Sequence, residues 1–215
     1  MTAFALPLAL VLGYVLGSLP VGVLVCRLRG RDPRTVGSGR TGATNVYRTI
    51  GLAGGLATAL GDVLKATLAV WLAGRLAPDE LRTLAESLAA VAAILGHNHS
   101  LFLGFRGGAG GTPNAGALLA IAPAWFVPGA LLAAAAWVFV RIASVATLTL
   151  SAVSLVACAW LVFDGARSPA LLVYGIGQAV LVVWALRPNI ARLLRGEERR
   201  IALDAAHRRG AADGS

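Results

Sequence analysis

The sequence predicts an all-α polytopic membrane protein: a bundle of about seven transmembrane helices, N-terminus outside and C-terminus inside. Of its 215 residues, 57% are hydrophobic and only 13% are charged, and the mean hydropathy is +0.75. This composition is typical of integral membrane proteins and excludes an ordinary soluble domain. The apolar segments fall near residues 3–25, 52–74, 83–96, 114–123, 124–140, 142–163 and 169–186.

The sequence leaves the number of spans open between seven and six. The third and fourth segments are shorter than the roughly 20 residues that a straight span needs. Pro123 and Pro128 leave the division between the fourth and fifth segments open, so six spans are the alternative. No basic residue precedes the first segment, which is therefore interpreted as a retained helix rather than a signal peptide.

The distribution of arginine predicts the orientation. The chain has 18 Arg and a single Lys, and with seven spans 15 of these arginines fall on one side. The other side receives only Arg75, Arg82 and Arg167. Cytoplasmic loops carry the excess of basic residues, so the arginine-rich side is expected to be cytoplasmic. Six spans would place the first loop and the tail on opposite faces, so the asymmetry favours seven.

The net charge of +9 does not indicate nucleic-acid binding, because the arginines flank the spans and no nucleic-acid-binding motif is present. Membrane lipids and anionic substrates are the expected partners. The two cysteines, Cys26 and Cys158, lie in or beside apolar segments without CxxC spacing, which does not favour a disulfide. We expect a membrane domain over residues 1–196 and a basic, disordered cytoplasmic tail over residues 197–215.

A polar loop over residues 36–48 separates the first two apolar segments. Glycines let a backbone present its N–H groups to an anion, and hydroxyl, amide and guanidinium groups donate to phosphate oxygens. The alternative is a flexible positive loop of the kind that many membrane proteins have. The residues predicted to bind phosphate or the reacting centre here are Gly37, Ser38, Gly39, Thr44, Asn45 and Arg48.

A second polar cluster, residues 96–112, follows the third span on the same predicted side. Its glycines, Gly107, Gly108 and Gly110, precede a helix whose N-terminus favours an anion. The alternative is a simple glycine-rich turn. His97 and His99 do not predict a metal site, because no carboxylate or third ligand lies nearby in the sequence.

Two charges, Asp62 and Lys65, stand within the second apolar segment. Each charge at the centre of a bilayer costs about 2.5–3.5 kcal/mol on insertion scales, and an i,i+3 pair offsets part of that cost. The alternatives are a structural pair between helices and a polar cavity open to the cytoplasm. We interpret the pair as support for a site rather than as chemical groups.

These motifs resemble those of the bacterial acyl-phosphate:glycerol-3-phosphate acyltransferases, the PlsY family. The resemblance covers nearly the whole chain in order, and its first motif is the most specific. It rests on Gly37 to Arg48, Gly61-Asp62-x-x-Lys65, Gly96-His97 with Phe102-Leu103-x-Phe105-Arg106-Gly107-Gly108, and Asn189-Ile190-x-Arg192-Leu193-Leu194-x-Gly196-x-Glu198.

The resemblance implies a seven-helix inner-membrane enzyme that transfers a fatty acyl group from acyl phosphate to the sn-1 hydroxyl of glycerol 3-phosphate. The product would be lysophosphatidic acid, formed without a cofactor and with the active site at the cytoplasmic face. Acyl phosphate is already activated, so such an enzyme mainly aligns the reacting groups and stabilises the oxyanion. The implied catalytic residues are Ser38 and Asn189, with Ser144 and Arg106 on phosphate and Asp62, Lys65 and His97 as support.

The chain departs from the family pattern at several positions. Ala109 stands where the family carries Lys, Leu186 where it carries His, and Arg141 where it carries the first of two serines. Arg40 replaces an Asn, and His99-Ser100 replaces an aromatic-Pro pair. Arg106, Arg187 or Arg40 would supply the lost charge, and we predict acyl transfer that depends on Arg106. The alternatives are a divergent paralogue with altered or lost activity and a small transporter.

Overall fold

The computed structural model describes residues 2–201, and these residues form nine α-helices and no β-strand. The helices are α1 (Thr2–Ser18), α2 (Val21–Arg27), α3 (Ala43–Ile50), α4 (Leu52–Leu76), α5 (Arg82–Asn98), α6 (Gly111–Ile121), α7 (Pro123–Ala135), α8 (Ala143–Phe163) and α9 (Leu171–Leu194). A π-helical turn, Ala136–Val140, extends α7. The predicted all-helical fold is confirmed.

Each predicted apolar segment overlaps a helix. Five helical stretches are long and apolar enough to cross a membrane; α5, with 17 residues, and α6, with 11, are shorter. At 1.5 Å per residue α6 is about 16 Å long, roughly half of a 30 Å hydrocarbon core. The chain turns at Ala122, and Pro123 begins α7, which divides the fourth and fifth segments. Seven spans stay a prediction.

Small residues bring the helix backbones into direct contact. A Cβ on Gly17 of α1 would lie 2.2 Å from the carbonyl oxygen of Ala93 in α5, and a Cβ on Gly116 of α6 would lie 2.2 Å from that of Val63 in α4. Such close packing is how helices associate in a bilayer, where lipid removes the hydrophobic driving force. Leucines such as Leu56 on α4 remain exposed on the outer surface, as a lipid-facing surface requires.

The polar ends of the helices meet at one end of the bundle. The C-terminal ends of α5 and α9 and the N-terminal ends of α6 and α8 lie there, together with α3. The loop over residues 28–42 reaches the loop over residues 99–110, where the N–H of Thr41 donates to the carbonyl oxygen of Gly107 over 3.4 Å. These two loops are the polar clusters that the sequence predicts on a common side.

The start of the expected tail contacts the bundle. The N–H of Ile201 donates to the carbonyl oxygen of Arg141 over 2.6 Å, and the Nε of Arg141 donates back to the carbonyl oxygen of Ile201 over 3.1 Å. Ile201 is 1% exposed, so an apolar contact anchors this segment. Residues 197–201 therefore belong with the bundle rather than with a disordered tail, while residues 202–215 lie outside the described residues.

Candidate active site

A polar cavity of about 350 Å³ opens at the end of the bundle where the loops meet. Its wall combines both loops, α3, the first turns of α6 and α8, the last turns of α9 and the segment after α9. Of the predicted site residues, Gly37, Ser38, Thr44, Asn45, Arg48, His97, Gly108, Ser144 and Asn189 line it.

The first loop folds around the side chain of Asn45. The Nδ2 group lies within hydrogen-bond distance of the carbonyl oxygens of Pro33, Val36 and Arg40, at 2.7, 3.0 and 2.8 Å. Its Oδ1 accepts from the N–H of Ser38 over 3.1 Å. Because the amide hydrogens are used within the loop, Asn45 shapes the loop instead of binding phosphate through its side chain, which differs from the predicted role.

Two glycines permit this loop conformation. Gly37 and Gly39 have φ values of 59° and 69°, in the left-handed region that glycine adopts without strain. A Cβ on Gly37 would also lie 2.5 Å from the Oδ1 of Asn45. The loop consequently presents Gly37 and Ser38 to the cavity, whereas Gly39 lies outside the cavity lining.

The cavity is strongly positive. Four arginines and one carboxylate line it: Arg40, Arg48, Arg192, Arg199 and Glu198. Burial lowers the pKa of both Arg40 and Arg48, and a second arginine near each lowers it further, while Glu198 raises it. Guanidinium groups remain protonated under such shifts. The excess of positive charge makes the cavity suitable for phosphate groups.

Glu198 organises one wall of this cavity. Its Oε1 accepts from the Nδ2 of Asn189 over 2.6 Å and from the Oγ of Ser144 over 3.4 Å, and its Oε2 accepts from the Nε of Arg192 over 2.7 Å. The Oδ1 of Asn189 is buried and has no hydrogen-bond partner among the described residues. An unsatisfied acceptor in a cavity wall fits the hydroxyl group of a ligand.

The second loop contributes less than the sequence predicts. Gly108 and Ala109 line the cavity, but Gly107 and Gly110 do not. Arg106 is exposed and lies outside the cavity lining, so the structure does not bring it to the other predicted phosphate-binding residues. The turn explains this position, since Phe105 has a φ of 61° and Arg106 forms a backbone bridge with Ser100.

Beneath the cavity, Asp62 and Lys65 form the predicted buried pair, with 2.8 Å between the Oδ1 and Nζ atoms. The Nζ atom also lies 3.2 Å from the Nδ1 of His97, whose side chain lines the cavity above. The Oγ1 of Thr112 lies 3.1 Å from the Oδ2 of Asp62. The pair is thus connected to the cavity floor through His97 and Thr112.

An apolar groove of about 540 Å³ adjoins the cavity. It runs between α4 and α7 and is lined chiefly by leucine, alanine and aromatic side chains, among them Leu56, Phe126 and Trp137. Six residues line both spaces: Ala43, Thr44, Gly111, Thr112, Ala143 and Thr147. A polar site and an apolar site therefore meet along one shared boundary.

Some residues of the cavity were not predicted as site residues. Arg192 and Glu198 lie in the motif after the last span, and their spacing from Asn189 was the available signal. Arg199 donates from Nη1 to the carbonyl oxygen of Gly37 over 2.6 Å, a contact across 162 positions that nothing local in the sequence indicates. Arg40 was considered only as a departure from the family pattern and as one of three arginines that would supply the lost charge.

Comparison with known proteins identifies the family of this chain. A sequence profile of the family described as glycerol-3-phosphate acyltransferase matches residues 7–196. The chain belongs to this family. A glycerol-3-phosphate acyltransferase of Roseiflexus sp. is 40% identical over 189 residues, 88% of this chain and 92% of the relative. One from Bordetella pertussis is 43% identical over 201 residues, 89% of this chain and 90% of the relative.

Two crystal structures share the family fold. PlsY, an integral membrane glycerol 3-phosphate acyltransferase, aligns in its glycerol 3-phosphate form with a TM-score of 0.80 and 30% identity, covering 92% of this chain and 96% of that one. Its lysophosphatidic acid form aligns with a TM-score of 0.79 and 29% identity, covering 93% and 96%. The family's membrane-embedded helical fold therefore extends over nearly all of this chain.

Proposed function

We propose that this chain transfers a fatty acyl group from acyl phosphate to the sn-1 hydroxyl of glycerol 3-phosphate, forming lysophosphatidic acid. The observation that carries the proposal is the meeting of the arginine-lined cavity with the apolar groove along six shared residues. Both substrates carry a phosphate, and one also carries a long apolar chain. The related PlsY structures, in glycerol 3-phosphate and lysophosphatidic acid forms, support the same pair of ligand chemistries.

The cavity residues suit the reaction. The hydroxyl oxygen attacks the acyl carbonyl carbon, the bond from that carbon to the phosphate oxygen breaks, and the hydroxyl proton leaves with inorganic phosphate. Arg48 and Ser38 hold phosphate or the reacting centre, and Asn189 accepts from a substrate hydroxyl through its unsatisfied Oδ1. Alignment of two bound substrates and stabilisation of the oxyanion supply the catalysis. We place the site at the cytoplasmic face of a bacterial inner membrane.

Activity assays on purified protein test this proposal. Acyl phosphate and glycerol 3-phosphate should yield lysophosphatidic acid, while acyl-CoA in place of acyl phosphate should yield none. Ser38→Ala and Arg48→Ala should each lower turnover or affinity about ten- to hundredfold, because a hydrogen bond to a charged group contributes about 1.5–3 kcal/mol.

Matched control positions lie in the loop over residues 28–42, before Ser38 and Arg48. Thr35→Ala removes a hydroxyl and Arg29→Ala removes a charge, each from a position outside the cavity lining, and both should retain wild-type rates. Full activity in folded Ser38→Ala and Arg48→Ala would exclude the assigned roles. Absence of any turnover in the wild type would favour a divergent paralogue instead.

A further inference from the structure

The ammonium group of Lys65 has three acceptors around it. Its Nζ lies 2.8 Å from the Oδ1 of Asp62, 2.8 Å from the carbonyl oxygen of Leu19 and 3.2 Å from the Nδ1 of His97. The Leu19 carbonyl oxygen lies between α1 and α2 and also accepts from the N–H of Val21 over 3.0 Å, which leaves its second lone pair for the ammonium. An ammonium group has three N–H donors, so these three acceptors use all of them.

This arrangement fixes which nitrogen of His97 carries the proton. A proton on Nδ1 would point toward the Lys65 ammonium and leave one of its N–H groups unused. The Oδ1 of Asp62 is farther from Nδ1, at 3.4 Å. With the ammonium donating to Nδ1, His97 accepts there and carries its ring proton on Nε2.

The Nε2 atom lies against Gly108. A Cβ on Gly108 would lie only 2.0 Å from Nε2, so only glycine lets the imidazole occupy this position. His97 and Gly108 both line the cavity, so an Nε2–H group here belongs to the cavity floor.

The other carboxylate oxygen of Asp62, Oδ2, makes Thr112 a hydrogen-bond acceptor toward the cavity. The ionised Asp62 can only accept, so the Thr112 hydroxyl donates its single proton to Oδ2 across 3.1 Å. Toward the cavity, the Thr112 oxygen is then an acceptor only. Thr112 also lines the apolar groove, which places this acceptor at the boundary between the two spaces.

We infer that the buried Asp62–Lys65 pair is a positioning element that makes His97 a donor and Thr112 an acceptor toward the substrates. Given the proposed function, the His97 donor meets an anionic oxygen of the acyl phosphate, and Thr112 accepts from an acceptor hydroxyl. This role accounts for a charge pair in the membrane-spanning part of α4, where burial of each charge is costly. A charge pair that only held helices together would require neither a donor at His97 nor an acceptor at Thr112.

Nitrogen-15 NMR of histidine-labelled wild-type protein tests the tautomer without any turnover. The signal of His97, assigned by its loss in His97→Gln, should show an unprotonated Nδ1 and a protonated Nε2. An Nδ1–H tautomer or an imidazolium in the wild type near pH 7.5 would overturn the inference. If the chain has no acyltransferase activity, the proposed function fails while this measurement still decides the tautomer.

Lys65→Met gives a second test of the same inference. Without the ammonium, the ring turns its proton at Nδ1 toward Asp62, and Nε2 presents a lone pair to the cavity. The groups around His97 are Asp62 and Lys65 from α4, with the cavity's four arginines and Glu198 above.

Lys65→Met should therefore lower activity about tenfold, the effect of one hydrogen bond to an anionic oxygen, and its His97 nitrogen-15 signal should show a protonated Nδ1. Ser151→Ala is the matched control, because it removes a buried hydrogen bond to Gln178 in the middle of α8. The control should leave the His97 tautomer unchanged. An unchanged His97 tautomer in Lys65→Met would contradict the inference.

Substitution of Thr112 tests the acceptor. Thr112→Val has nearly the same shape but no oxygen, so it should raise KM for glycerol 3-phosphate or lower kcat by about tenfold. Thr112→Ser keeps the oxygen and should retain most of the wild-type rate. Equal activity of the two variants, whether high or low, would overturn the acceptor role.

Discussion

Arg40 reaches from the first loop to the end of α9, where its Nη2 donates to the carbonyl oxygen of Ala185 over 2.5 Å. The next residue, Leu186, lines the cavity at the position where the family pattern has His, and Ala109 lines it where that pattern has Lys. Arg40 thus brings a cation to a cavity from which two family side chains are missing. Arg106 and Arg187, the other residues considered for this compensation, lie outside the cavity lining.

We therefore expect Arg40, rather than Arg106, to support substrate binding. Arg40→Gln should raise KM for one of the phosphorylated substrates about ten- to hundredfold, because it removes a charge-assisted hydrogen bond. Steady-state kinetics with each substrate varied in turn would measure the effect.

Arg106→Gln is the matched control, since it makes the same chemical change at an exposed position. It should leave both KM values unchanged. Ala109→Lys in the Arg40→Gln background should recover part of the lost affinity. A large effect of Arg106→Gln together with none of Arg40→Gln would reverse this assignment.

At the scale of elements, the first loop depends on one buried amide. Asn45 is 3% exposed and holds the loop through three carbonyl oxygens and the N–H of Ser38. Its replacement leaves these groups without the partner that closes the loop onto the start of α3. The geometry of the loop therefore depends on this buried side chain and not on the exposed polar residues alone.

Asn45→Ala should consequently lower stability as well as activity. Loss of two or three buried hydrogen bonds costs about 2–4 kcal/mol, which lowers the melting temperature by several degrees. Thermal unfolding of purified protein would measure this change. Ser38→Ala, at an exposed position in the same loop, should lower activity without changing the melting temperature. Equal melting temperatures for the wild type and Asn45→Ala would contradict the structural role.

At the scale of the whole molecule, the sequence predicted most of the helices and part of the site. Long apolar segments are detectable because a bilayer requires them, and the Gly37–Arg48 loop combines residue types that are suited to binding an anion. The docking of Arg199 on Gly37 depends on contacts distant in sequence, so no local pattern indicates it. The position of Arg106 outside the cavity lining was likewise not predictable, because no local pattern indicates the positive φ of Phe105 that precedes it.

The orientation of the molecule gives the last prediction. The cavity and its loops lie at the arginine-rich end, whereas the loops around Asp79 and Gly165 lie at the opposite end. Because basic loops remain cytoplasmic, Thr35→Cys should escape a membrane-impermeant thiol reagent added to intact cells, and Asp79→Cys should react. The wild type is its own background control, since Cys26 and Cys158 are buried. Labelling of Thr35→Cys but not Asp79→Cys would place the cavity outside the cell, away from a cytoplasmic supply of phosphorylated substrates.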